Sequence, residues 1–137
     1  MSNALVVPAE MVDFLRSGLH IELGDVSQAI SEATDRSERQ AHPEWFVELF
    51  DRFDAIRALL QLAGWKTREP DQNLEVDFDA YRDELLAALA SQLRVERNVK
   101  QELDREHAAR DARNAATARV LTLCRFLAEL KTRLADD

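Results

Sequence analysis

The side chains best suited to chemistry are three histidines, one cysteine and a surplus of carboxylates, in a chain of 137 residues with net charge −8. A carboxylate-bridged metal pair in a helical bundle needs two Glu-x-x-His elements and a glutamate from each of two further helices. The chain offers one relative of that motif, Asp104-Arg105-Glu106-His107, and no second copy. His20 and Glu22, like His42 and Glu44, stand two residues apart, which places their side chains about 200° apart on a helix, a poor ligand geometry. No two histidines stand four residues apart, so no helical zinc chelate is available. Neither a metal nor a cofactor is expected.

Nucleophilic chemistry finds no better footing. Cys124 shares an apolar face with Val120 and Leu127, a setting in which a thiol is a small hydrophobe and no base stands beside it. Three glycines cannot build a phosphate-cradling loop or a dinucleotide fingerprint, and no serine sits in a Gly-x-Ser-x-Gly elbow. The paired carboxylates Glu44, Glu48 and Asp51, and Asp79 with Asp83, lie on solvated helix faces, whereas acid–base catalysis needs a desolvated carboxyl in a cleft. These absences speak against an enzyme. The row Arg94, Arg97 and Lys100, continued by Arg105, Arg110 and Arg113, is the one candidate for phosphate contact. It lacks the interleaved aromatics of a nucleic-acid module, and Glu96, Glu102 and Glu106 are expected to pair with it.

Charge narrows the partners. A net charge of −8 opposes non-specific binding to nucleic acid or to an anionic membrane, both of which attract cations. Residues 1–84 hold 18 acidic and 8 basic side chains, and residues 85–137 hold 8 and 10, so the halves can attract one another within a bundle or between chains. No apolar run approaches the ~20 residues of a membrane span, the N-terminus lacks the basic and apolar regions of a signal peptide, and a lone cysteine suits a reducing compartment. The expected location is cytoplasmic.

Any such side chains must be held by helices, because long runs without glycine or proline favour helix over an all-β design. The best-marked helix is Pro43 to Gly64. Phe46, Leu49, Phe50, Phe53, Ile56 and Leu60 recur at three- and four-residue intervals, Pro43 suits the first helical position, and Gly64 can close the helix in the left-handed conformation. The other helices are expected to pack around this one. Leu59 and Leu62 fall beside and behind its apolar face, and Trp65 follows its end. These three residues, in excess of what one core face needs, form the candidate protein interface.

The remaining elements follow in order. Val12, Leu15, Leu19, Leu23, Val26, Ile30 and Ala33 keep helical spacing across Gly18 and Gly24, which predicts one long helix over 8–34. Ser2-Asn3-Ala4 has the look of a tag remnant, and residues 1–7 are expected to be disordered or tag-derived, outside a single domain spanning 8–137. Residues 66–76 read as one long loop. Asp77 is a good N-cap for a third helix over 77–105, with Tyr81, Leu85, Leu89, Val95, Val99 and Leu103 as its apolar face. A fourth helix over 109–135 faces inward through Ala109, Ala112, Ala116, Val120, Leu123, Leu127, Leu130 and Leu134. A compact fold needs a turn between Asp104 and Asn114; without it, residues 77–135 become one helix that dimerises as a coiled coil. No internal repeat is visible in the residue pattern.

The expected fold is therefore all-α, an antiparallel four-helix bundle with long helices and one long loop at 66–76. The expected function is that of a non-enzymatic interaction or regulatory protein, acting as a homodimer or through a protein partner. The second reading, a bundle holding a small ligand or metal, would rest on Tyr81, Asp104 and His107.

Overall fold

The computed structural model describes residues 3–35, 43–64 and 72–135. Its elements are strand β1 (Ala4–Val7), helix α1 (Ala9–Asp35), helix α2 (Pro43–Ala63), strand β2 (Leu74–Asp77), helix α3 (Phe78–Arg105) and helix α4 (Arg110–Ala135). The chain is an all-α helical bundle with one small two-stranded sheet. No helix among the described residues is long and apolar enough to cross a membrane.

Several helix boundaries follow directly from local chemistry. α1 runs unbroken through both glycines, because the apolar spacing on either side demands the same face. α2 begins at Pro43 and ends before Gly64, which takes φ 87° as a helix-closing glycine should. The Asp77 carboxylate accepts the Asp79 N–H and caps α3. The turn after α3 is a Schellman ending: His107 sits at φ 52°, its N–H donates to the Asp104 carbonyl, and the Ala108 N–H donates to the Leu103 carbonyl. Residues 77–135 are thus a hairpin and not one continuous helix.

Two expectations are corrected at the strands. Residues 1–7 were expected outside the domain, yet Ala4–Val7 form β1, paired antiparallel with β2. The expected loop over 66–76 ends in β2, so Leu74 and Val76 belong to the sheet. Leu5 pairs with Val76 and Val7 with Leu74. These four side chains are buried together on one face, while Val6 and Glu75 face outward. Four-residue alternations are short enough to pass for loop in the residue pattern.

The centre of the molecule also differs from expectation. The closest packing joins α1 to α3, with α2 flanking α1 and α4 flanking α3. Gly18 permits this, since a Cβ there would fall onto the Ala88 backbone carbonyl. Arg16 reaches Gly64 and Glu22 reaches Arg52, so α1 and α2 are antiparallel. Glu22 also meets Ser91, so α1 and α3 run parallel, and Glu96 with Arg119 makes α3 and α4 an antiparallel pair.

This arrangement contains a repeat that the residue pattern conceals. Strand, long helix and second helix occur twice. An offset of 69 carries the buried Leu5 and Val7 of β1 onto the buried Leu74 and Val76 of β2, and within the long helices an offset of 70 carries the buried Leu15, Gly18, Leu19 and Glu22 onto the buried Leu85, Ala88, Leu89 and Gln92. An offset of 67 carries Ile56, Leu59, Leu60 and Ala63 onto Leu123, Phe126, Leu127 and Leu130, all buried. The difference of three equals the shortening of the helix–helix connection, from residues 36–42 to residues 106–109. The strand–helix junctions are reciprocal as well. The Asn73 side chain accepts the Ala9 N–H at 2.9 Å, and the Asn3 carbonyl accepts the Phe78 N–H at 2.9 Å. Antiparallel strands with parallel first helices are the arrangement of an approximate two-fold axis along the bundle.

Candidate protein-interaction surface

The helices are cross-linked by two buried glutamates, each paired with a half-exposed arginine. Glu22 accepts the Ser91 hydroxyl and the Arg52 guanidinium, joining α1, α2 and α3. At a similar level on α3, Glu96 accepts two hydrogen bonds from Arg119, at 3.0 and 2.8 Å, and one from Gln92 at 3.0 Å. The Arg119 guanidinium lies 4.6 Å from the centre of the Phe14 ring, tying α4 to α1 as well. Hydrogen bonds from Arg119 hold the Glu96 carboxyl below the usual glutamate range, against the opposing effect of burial, and the same bonds raise Arg119. Each buried carboxylate is thus tied to an arginine and to a neutral donor, the arrangement of a structural cross-link between helices.

Beyond Glu22, Arg52 and Ser91, at the end remote from the sheet, large apolar side chains face outward. Trp45, Val47 and Phe50 on α2 and Val95 and Val99 on α3 are between 39 and 56% exposed. Phe46 and Phe50 stack edge-to-face with centroids 5.0 Å apart, and Arg57 lies 5.7 Å from the Phe53 centroid, so the aromatic rings hold one another in place on the surface. The expected apolar face of α3 is corrected here. Leu85 and Leu89 are buried, but Val95 and Val99 are not, and the buried row continues through Gln92, Leu93 and Glu96. Likewise Phe50, expected in the core, is 43% exposed, because it stands about 120° round α2 from the buried Ile56.

The three proposed interface residues separate. Leu59 is fully buried in the core and cannot meet a partner without unfolding; it lies on the edge of α2 that packs inward, since the buried face of that helix is Ile56, Leu59, Leu60 and Ala63. Leu62 is 47% exposed, at the sheet end of α2. Trp65 lies outside the described residues. The residue pattern puts the apolar excess on α2 at its last turns, around Leu59 and Leu62, whereas the structure exposes Val47 and Phe50 near its start.

The chemistry-bearing residues do not converge. Tyr81 and His107 are separated by most of α3, about 35 Å at the helical rise, and Asp104 is engaged by Lys100 at 2.9 Å. His107 is exposed in the turn. No group of three or more His, Cys, Asp or Glu side chains among the described residues is arranged to hold a metal ion.

The basic row also divides. Lys100 pairs with Asp104, Arg105 with Glu102 at 3.1 Å, and Glu96 is taken by Arg119. Arg94 and Arg97 have no carboxylate partner among the described residues. They stand with Lys131 on the rim of a half-open groove of about 640 Å³ between α3 and α4. A smaller cleft of about 430 Å³ between α2 and α3 is lined by Asp51, Arg52, Asp83 and Glu84. Compared with known proteins, the chain matches no family model, no curated protein and no solved structure.

Proposed function

We propose that the chain is a non-enzymatic interaction or regulatory module that self-associates as a homodimer through the bundle end remote from its sheet. The observation that carries this reading is the exposed pair Val47 and Phe50, neighbours at three-residue spacing on the solvent side of α2, with Trp45, Val95 and Val99 exposed in the same half of the bundle, beyond Glu22, Arg52 and Ser91. Aromatic and aliphatic side chains clustered on a surface stabilise association by removing apolar area from water, at about 25 cal/mol per Å². A two-fold dimer uses the same patch on both copies, and one end of a bundle meets that condition without rearrangement. The lone half-buried thiol of Cys124 suits a cytoplasmic setting.

Sedimentation equilibrium of the full chain tests the reading. The wild type is expected to be dimeric at micromolar concentration, and Val47→Glu and Phe50→Glu to weaken dimerisation at least tenfold with helical circular dichroism unchanged. Leu59→Glu, in contrast, is expected to unfold the chain. A wild type that stays monomeric at ~100 μM, a concentration well above that of a stable specific dimer, removes the proposal.

A further inference from the structure

The groove between α3 and α4 lies on the opposite side of α3 from α1, since Ala88 meets Gly18 while Ala90 is about 200° further round the helix. Its floor is apolar, with Leu86, Ala90, Leu93, Leu127 and Leu134. Its rim carries Arg94, Arg97 and Lys131 with the neutral Asn98 and Gln101, and no carboxylate. Three cations around an apolar floor stand out on a chain whose net charge is −8. Arg97 makes a single long contact, 3.8 Å to the Cys124 sulfur, so its charge is not spent within the fold.

The internal repeat shows that the fold does not require this composition. In the first half, the positions equivalent to Arg94, Arg97 and Lys131 are Gly24, Ser27 and Gly64, none of them charged. The position equivalent to Leu86 is Arg16, whose guanidinium crosses to the Gly64 carbonyl at 2.8 Å and closes the space. His20 stands where the second half has Ala90. One architecture thus carries a strut in its first half and an open, cation-rimmed groove in its second.

We infer that the α3–α4 groove docks an acidic amphipathic helix of a partner protein. The groove, floor and rim together, runs along α3 from Leu86 to Gln101, about 22 Å at the helical rise, or some four turns of a guest helix. Arg94, Arg97, Asn98 and Gln101 recur along one edge at intervals of three, one and three residues, a row that matches carboxylates on successive turns of a guest. The apolar floor takes its i, i+3, i+4 and i+7 anchors. A small anionic amphiphile offers one charge and leaves the rest of that row unanswered. A second copy of α2, though acidic and apolar, lies on the opposite side of the bundle, so its docking here would build open chains, not a closed pair.

The test uses the full chain and a fluorescein-labelled peptide of about 18 residues, with leucines at helical anchor spacing and glutamates on both flanks, the pattern of groove-binding helices. A scrambled peptide of the same composition and dodecanoate serve as comparisons, with binding read by fluorescence anisotropy. The amphipathic peptide is expected to bind at least tenfold more tightly than the scramble and to weaken several-fold as salt rises from about 0.05 to 0.5 M. Arg94→Glu combined with Arg97→Glu, and separately Ala90→Trp, are expected to raise the Kd tenfold or more with circular dichroism unchanged. Ser27→Glu, at the equivalent of Arg97 in the first half, is expected to leave binding as it was. Equal binding of the scramble, indifference to the groove substitutions, no binding of the amphipathic peptide at about 100 μM, or one-to-one binding of dodecanoate in place of the peptide would each overturn the inference.

Discussion

Glu96 occupies a slot on α3 that an apolar side chain would fill in a simpler bundle, and it is tolerated there because Arg119 and Gln92 supply three hydrogen bonds to its carboxylate. The side chain is 7% exposed, while Arg119 is 54% exposed, so solvent screens the pair and its net worth is about 1 kcal/mol. Its pH dependence has a definite sign. Because the Arg119 hydrogen bonds lower the Glu96 pKa from its ordinary 4.5, the pair stabilises the fold fully above that value and loses its contribution as pH falls through the lowered folded value. Glu96→Gln should therefore cost more at pH 7 than at an acid pH below the lowered folded value, a difference read from urea midpoints measured across that range. His107 offers the opposite case. Its left-handed φ of 52° is one that glycine adopts without strain, so His107→Gly should stabilise the hairpin by up to about 1 kcal/mol.

At the scale of the helices, the two glycines of α1 look alike in the sequence and differ in the structure. Gly24 has open space around its Cα, whereas Gly18 lies against the Ala88 carbonyl. Alanine is the better helix former by about 1 kcal/mol, so Gly24→Ala should stabilise by up to that amount. Gly18→Ala should destabilise by about 1–3 kcal/mol, because the α1–α3 pair must separate to admit a methyl group. Urea unfolding of the two variants distinguishes these outcomes, and equal effects would show that α1 and α3 do not meet as closely as described. The same approach explains why α2 is peripheral despite being the most apolar helix. The bundle centre goes to the helices whose small residues let their backbones approach, and α2 keeps its surplus of Trp45, Val47 and Phe50 on the surface.

For the molecule as a whole, the proposed dimer links association to stability. A partner that binds only the folded chain raises the unfolding midpoint with protein concentration. The wild-type urea midpoint should therefore rise between about 1 and 100 μM, and that rise should vanish in Phe50→Glu. The two-fold repeat adds a contrast: both halves share the buried faces of their strands and helices, and they part company where Arg16 fills a groove that Leu86 leaves open.

Periodicity and punctuation alone determined four helices, the glycine ending of α2, the Asp77 cap and much of the core, including Leu15, Leu19, Ile56, Leu60, Leu85, Leu89, Leu123 and Leu130. These are local or face-level properties, written in the spacing of apolar residues and in the residues that stop a helix. Tertiary structure decided what that spacing leaves open. It paired β1 with β2 across some 70 residues, chose the hairpin over the continuous helix, and set α1 against α3 through Gly18. It also buried Leu59 while leaving Val95, Val99 and Phe50 outside. The reason is physical: a helix face shows which side chains are apolar, but which of them meet a neighbour depends on how the other helices are placed around it.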